Sequence, residues 1–369
     1  MGETPKPVVN ATTEGTTRRQ FLKLTGATAG ALATAPLWTR KSFGGLVPSR
    51  KYTIAIVPKG LDNPVFALAK LGLEERAKEL GNVTPIFTAG STTNTELDIN
   101  VLEGLVTSKV DAIGISCNDP IAYVPVINKA IDAGILVMCW DSDAPTSKRL
   151  CFYGVNSYAV GQNMGREMNT LLKGKGNVVI VSGAPTALNL DDRIKGVEST
   201  LSKGITVLNI LYCNDDTPTA IAMEEDAIRS YPNLNGLIMV GGWALFSNVG
   251  ATPLLDKAKG KIKVESFDPL AAVVTYLRDD IVQSVWTQDY WGWGYESTTI
   301  LYSLLNGGGW HETIPQPSNN VVPSDWKIWQ ERWTATSKGF AQAAKAWGEP
   351  PFTPPGPMGS TGPIKKWKA

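Results

Sequence analysis

From residue 51 onward, short apolar runs rich in β-branched residues alternate with longer stretches of helical periodicity. The run at 52–57, Tyr-Thr-Ile-Ala-Ile-Val, predicts a strand, and residues 64–80 predict a helix. Strand 84–87, helix 95–108, strand 112–116, helix 121–133 and strand 136–140 continue the rhythm. Strands this short and this continuously apolar belong to parallel sheets covered on both faces. The βαβα order then gives a doubly wound α/β layer. The same rhythm restarts after Asn156, with helix 159–172, strand 177–181, helix 192–202 and strand 207–212. Helix 219–230 and strands 237–240 and 262–267 follow. The pattern therefore predicts two similar α/β lobes, one over about 52–154 and another over about 155–288.

The ends of the chain read differently. Arg18-Arg19-Gln-Phe21-Leu22-Lys23 precedes a small-residue apolar run over 26–35 that ends in Ala33-Thr34-Ala35. A basic segment, a short apolar segment and an A-x-A site make an export signal, cut most simply after Ala35. The paired arginines followed by Phe-Leu-Lys resemble a twin-arginine signal, which implies export in the folded state. The apolar run of about ten residues is half of what a membrane-spanning helix needs, about twenty. No cysteine follows it, so no lipid anchor is encoded there. The mature chain is expected to be free, soluble and periplasmic, with no membrane insertion. Residues 36–50 read as a linker. Residues 331–369 read as a C-terminal extension ending in a Pro/Gly tail over 349–363, and both ends are expected to be poorly ordered.

Composition narrows the partners. Lys+Arg total 35 and Asp+Glu 34, so no field attracts nucleic acid or an anionic membrane. The single histidine, His311, lies in Gly309-Trp310-His311-Glu312, read as a solvated loop. A Ser-His-Asp site, a Cys-His site or a multi-His metal site is therefore not expected. No metal and no cofactor is predicted. Cys117, Cys139, Cys151 and Cys213 show no C-x-x-C spacing. Cys139 and Cys151 lie in neighbouring strand-like segments, which permits a disulfide or buried free thiols alike.

In open α/β sheets, ligands bind beyond the carboxyl ends of the strands. Those positions carry Lys59, Asn63 and Phe66 after the first strand, Asn118-Asp119 after the third and Asp141 after the fourth. In the second lobe they carry Asn189, Arg193, Trp243, Asp268 and Gln288. Carboxylates, amides and guanidinium groups take hydroxyls by charge-assisted hydrogen bonds, and aromatic faces cover the apolar side of a sugar ring. A neutral polyhydroxylated solute fits this set. Structural readings compete at single positions. Asp119 before Pro120 is equally well a helix cap, Asn63-Pro64 is a capping arrangement by itself, Phe66 can pack inward, and Trp291 and Trp293 can pack at a lobe junction.

With these residues in hand, 51 to about 330 resembles the periplasmic sugar-binding proteins of the ribose-binding type, a type I fold shared with the LacI repressors. Asn63-Pro64-Val65-Phe66 is similar to that family's first sugar-contact loop, with Val65 replacing an aromatic. Asp141 falls on its hydroxyl-binding Asp, with Ser142 in place of the usual following Arg. Arg193, Asp268 and Gln288 fall on its sugar-binding Arg, Asp and Gln, and Gly241-Gly242 replaces its Asn-Asp. Val57-Pro58-Lys59 and Trp140-Asp141-Ser142-Asp143 look like the rhamnose- and autoinducer-2-binding branch, where Asn189 would also touch ligand. The resemblance implies two doubly wound lobes joined by a three-crossing hinge near 154–155, 288–289 and 318–324. It divides the chain into an N-terminal lobe of 51–154 with 289–320 and a C-terminal lobe of 155–288 with 321–330. It further implies a monomeric solute-binding component of a sugar ABC transporter that delivers its ligand to a permease, without enzymatic activity. Two other readings stand beside it. One is an autoinducer-2 or sugar receptor that signals; the other is a hydrolase using the Asp191-Asp192 or Asp141/Asp143 pair.

Overall fold

The computed structural model describes residues 50–337 and 365–366. The expected signal, the linker up to residue 49 and the tail over 349–363 lie outside the described residues. The chain forms β1 (Tyr52–Val57), α1 (Ala67–Leu80), β2 (Val83–Phe87), α2 (Thr95–Thr107), β3 (Ala112–Ile115), α3 (Val124–Asp132), β4 (Leu136–Trp140) and β5 (Phe152–Val155). It continues as α4 (Ser157–Leu171), β6 (Lys175–Ser182), α5 (Leu188–Thr200), β7 (Gly204–Tyr212), α6 (Thr217–Ser230), β8 (Gly236–Met239), α7 (Pro253–Lys257), β9 (Lys263–Phe267), α8 (Ala271–Arg278) and β10 (Ser284–Trp286). Then come α9 (Gly292–Leu305), β11 (Gly309–Trp310), β12 (Thr313–Gln316), β13 (Asn320–Val321), α10 (Trp326–Ser337) and β14 (Lys365–Lys366).

These strands build two 6-stranded sheets, ordered β12-β5-β4-β3-β1-β2 and β13-β10-β9-β8-β6-β7. The orders superpose position for position, so β4 and β9 are equivalent strands. Within each sheet the pairings are parallel, except that β13 runs antiparallel to β10. A short separate pair joins β11 to β14. Central strands β1, β3, β4 and β8 are buried along nearly their whole length, as apolar runs covered on both faces require. The chain passes between the sheets three times: after β5, after β10 and between β12 and β13. Helix α9 packs on α1 and so belongs with the first sheet, whereas α10 packs on α8 of the second.

Local chemistry moves several boundaries. The helix expected over 64–80 is split, because Asn63 Oδ1 accepts the Val65 N–H and Pro64 opens a 3₁₀ turn before α1 begins. The helix expected from residue 121 begins at Val124, since Asp119 Oδ1 accepts the Ile121 and Ala122 N–H groups in a turn. Asp119 is thus a turn cap. Helix α5 starts at Leu188, earlier than the Asp191-Asp192 pair suggested. Asn189 and Arg193 consequently stand at i and i+4, on one helical face. His311, expected in a solvated loop, is half-buried, with Nδ1 shielded from solvent.

Close approach of α4 to α5 fixes where that face lies. A Cβ on Gly161 would sit 2.1 Å from the Arg193 carbonyl oxygen, and one on Gly196 would sit 2.2 Å from that of Tyr158. Only glycines let these helices meet backbone to backbone. Gly161→Ala should therefore destabilise the protein by about 1–3 kcal/mol, since the helices must separate. Gly104, on the exposed side of α2 with no neighbour within 4 Å of an added Cβ, should show the opposite sign. Gly104→Ala should stabilise by about 0.5–1 kcal/mol, and thermal denaturation of the pair checks both signs.

Candidate functional site

The carboxyl edges of the two sheets face each other across a small, nearly filled cavity of about 20 Å³. Lys59, Asn63, Phe66 and Asp141 line it from the first lobe, and Asn189, Arg193, Trp243, Asp268 and Gln288 from the second. These nine side chains singled out from the strand ends therefore reach one space, whereas Asn118 and Asp119 do not line it. Val65, Leu190, Asp215, Gly241 and Trp293 complete the wall.

Asp141 and Asp268 occupy equivalent places. Each is the first residue past its strand, β4 or β9, and each has left-handed backbone, with φ of 58° and 63°. Each donates its N–H to the neighbouring strand, Asp141 to the Tyr153 carbonyl and Asp268 to that of Trp286. Asp tolerates this conformation better than most residues, and such backbone concentrates at functional sites. The turn lifts each carboxylate off the sheet edge toward the opposite lobe.

The first of these carboxylates anchors a buried polar network. Lys59 Nζ lies 3.1 Å from Asp141 Oδ2, with side-chain exposures of 3% and 4%. Ser116 Oγ donates to the same oxygen at 2.8 Å. Asn189 closes the set from the other lobe: its Oδ1 accepts from Lys59 Nζ at 3.0 Å, and its Nδ2 donates to Asp141 Oδ1 at 3.1 Å. Behind Lys59, the fully buried Asp98 accepts from Gly90 N, Tyr123 OH and Asn118 Nδ2, while Asn118 Nδ2 also donates to the Lys59 carbonyl. The Asn118 carbonyl in turn accepts Thr186 Oγ1 from the second lobe at 2.9 Å.

Arg193 anchors the other half. Its guanidinium lies 3.8 Å over the Phe267 ring and donates to the Val240 carbonyl and to Gln288 Oε1. Gln288 Nε2 and Tyr290 OH both donate to Asp268 Oδ1. Arg193 Nε and Trp243 Nε1 are buried donors with no partner of their own. On the first-lobe side, Phe66, Trp140 and Trp293 pack with centroids 5.4–5.7 Å apart. Phe66 thus both packs inward and lines the cavity, as Trp293 does. Trp291 instead stacks on Tyr295.

Asp215 and Trp293 were not among the residues chosen from the sequence. Asp215 stands three residues past β7, a strand end that the carboxyl-edge rule covers, and only its crowded turn, Cys213-Asn-Asp-Asp216, hid it. Its Oδ1 accepts the Ala184 N–H, and Thr93 Oγ1 of the first lobe donates to Oδ2 at 3.4 Å. Burial pushes its carboxyl up to about 6, against the opposing pull of Lys59. Burial likewise raises Asp268, against Arg193, and lowers the Arg193 guanidinium. The remaining acidic pairs lie elsewhere. Asp191 pairs with Lys195 in the open, and Arg149 grips Asp143 through both carboxylate oxygens. Among the described residues no cluster of His, Cys, Asp and Glu has a metal-holding arrangement. The four cysteines are free and buried, and Cys139 Sγ lies 3.9 Å from Cys117 Sγ.

Residues 54–309 match the periplasmic binding protein domain family. The chain belongs to that family. Among curated relatives it is 26% identical to a D-ribose/D-allose-binding protein of Pseudomonas aeruginosa, over 62% of this chain and 74% of that protein. Among solved structures it is similar to a Burkholderia graminis ABC transporter solute-binding protein in complex with D-arabinose, at 28% identity and TM-score 0.69. That match covers 75% of this chain and 96% of that one. A glucose-galactose binding protein of Geobacillus stearothermophilus matches at 25% identity and TM-score 0.70, over 75% of this chain and 99% of that one. This periplasmic binding protein has the ribose-binding-like type I architecture of two α/β lobes. No described helix is long and apolar enough to cross a membrane.

The buried acids of this binding protein set a pH dependence. Asp98 and Glu296 are raised to about 7, and Asp215 and Asp289 to about 6, in each case chiefly by burial. Carboxyls raised in the folded state bind more protons than in the unfolded chain, so their contribution is full at low pH and lost as pH rises through 6–7. The melting temperature of the ligand-free protein should therefore rise on going from pH 8 to pH 5. A flat or falling profile over that window contradicts the burial assigned to these groups.

Proposed function

We propose that this periplasmic binding protein is the solute-binding component of a sugar ABC transporter, and that it holds a monosaccharide or related polyol between its lobes. The observation that carries this is the convergence of Lys59, Asp141, Asn189, Arg193, Asp268 and Gln288 on one small cavity backed by Phe66, Trp243 and Trp293. Hydroxyls are both donors and acceptors. The carboxylates of Asp141, Asp215 and Asp268 accept from them, while Lys59, Asn189, Arg193 Nε and Trp243 Nε1 donate. An aromatic ring takes the C–H face.

The ligand touches both lobes and so favours the closed arrangement by its greater affinity for it. The lobes are residues 51–154 with 289–320, and 155–288 with 321–330. Sheet membership supports this division, with β12 in the first sheet and β13 in the second. A micromolar to submicromolar dissociation constant corresponds to about −8 to −10 kcal/mol, which a set of charge-assisted hydrogen bonds with ring contact can supply. The monomer then docks on an inner-membrane permease and catalyses no reaction. Export as a folded protein by the twin-arginine route accords with four buried cysteines left as free thiols. Relatives described as binding D-ribose and D-allose, or solved with D-arabinose, favour pentoses and hexoses as ligands.

Thermal-shift and calorimetric screening against pentoses, hexoses, deoxyhexoses, polyols and autoinducer-2 tests the reading. At least one monosaccharide should raise the melting temperature and titrate without turnover. Asp141→Ala and Arg193→Ala should each weaken that ligand by at least about 100-fold, the consequence of removing a buried charged partner worth about 3 kcal/mol or more. Hydrolysis of a glycoside, or unchanged binding by both variants, contradicts the assignment.

A further inference from the structure

A second cavity of about 430 Å³ opens on the hinge side of the first. Small-molecule sites run from about 300 to 1,000 Å³, so the second cavity already has room for a sugar ring, whereas the first, closed down by the Lys59–Asp141–Asn189 contacts, takes a ring only as the lobes part. Asp141 and Asn189 line both spaces, and the hydrogen bond from Asn189 Nδ2 to Asp141 Oδ1 is part of the wall between them. The second chamber is bounded by Phe152 and Gly154 of β5, by Asp192 of α5, by Thr313 of β12 and by Ser157 at the start of α4. Its lining combines apolar faces (Phe152, Leu188, Pro315) with a few polar groups. Ser157 Oγ is one of these, buried and without a partner although the residue is only 6% exposed. Asp192 is another, half-buried, with its carboxyl raised mainly by burial. Arg149 already occupies both oxygens of Asp143.

The geometry points to a ligand larger than a single ring: a neutral glycoside or disaccharide, with one ring in the first cavity and its substituent passing the Asp141–Asn189 partition into the hinge-side chamber. This rests on the first cavity being the sugar site. A glycosidic oxygen at the partition is an acceptor for Asn189 Nδ2 in place of Asp141 Oδ1. The second ring then has an aromatic edge at Phe152 and a hydroxyl partner in Ser157. Asp141 and Asp192 carboxylates disfavour an acidic substituent by like charge. The chamber's chemistry is thus that of a second neutral hydroxylated ring.

Isothermal titration of the full chain tests this with D-xylose, L-arabinose and D-galactose, their methyl and phenyl glycosides, and xylobiose and melibiose. The two blocking variants are Thr313→Trp, at the exposed first residue of β12 in the first lobe, and Asp192→Trp, half-buried in the second. At least one glycoside or disaccharide should bind as tightly as its parent sugar or better. Both variants should weaken it at least 30-fold while leaving the parent within threefold. Two variants from opposite lobes guard against a local folding defect, and retained parent binding reports an intact fold. Parent sugars that bind while every glycoside is weakened more than 100-fold overturn this inference alone, because the partition is then sealed. Equal weakening of parent and glycoside by both variants also overturns it. If no sugar of either kind binds, the first-cavity reading falls and this one with it.

Discussion

Charge placed between two protein bodies is unfavourable unless it is met from both sides, and the Lys59–Asp141 pair is met in that way. The two groups are almost wholly buried, 3.1 Å apart, and Asn189 from the opposite lobe bonds to both. Removing one partner from such a pair leaves an uncompensated buried charge, which is strongly destabilising. Separating the lobes takes away the Asn189 contacts and returns the pair to water. A solute with several hydroxyls can take the same hydrogen bonds as the cavity fills. On the proposed reading, interlobe geometry and ligand capture depend on the same few atoms, so that lobe closure is coupled to binding.

The fold supplies that arrangement twice. Equivalent strands β4 and β9 end in an Asp with positive φ, each tied by its N–H to the next strand. Facing the carboxyl edges of two such sheets toward each other brings two anionic turns together, and Lys59 and Arg193 offset them. Asp215 remains with less compensation, and burial holds its carboxyl near 6. The glycine contacts between α4 and α5 fix the depth at which Asn189 and Arg193 enter the cavity. Packing in the second lobe thus reaches the site through a helix face.

Much of this was legible in the sequence because the signals are local and repeated. Continuous apolar runs marked the central strands, and the carboxyl-edge rule led to Lys59, Asp141, Arg193, Asp268 and Gln288. The short strands β5, β10, β12 and β13 were harder to see, being two to four residues long, so only tertiary pairing defines them. The start of α5 was missed because Asp191-Asp192 imitates a helix N-terminus, while the real first turn has no side-chain cap. Asp98 was out of reach for a different reason. It sits within a helix and acts through Asn118 on the Lys59 backbone, a link that no spacing in the chain encodes.

The central claim is that the solute sits between the two strand-end aspartates, in contact with both lobes. A crystal structure of the protein with its most stabilising sugar tests this most directly. The account predicts sugar hydroxyls within hydrogen-bonding distance of Asp141 and Lys59 on one side and of Arg193 and Asp268 on the other. A sugar bound on one lobe alone, or outside the space that these four residues enclose, would contradict it.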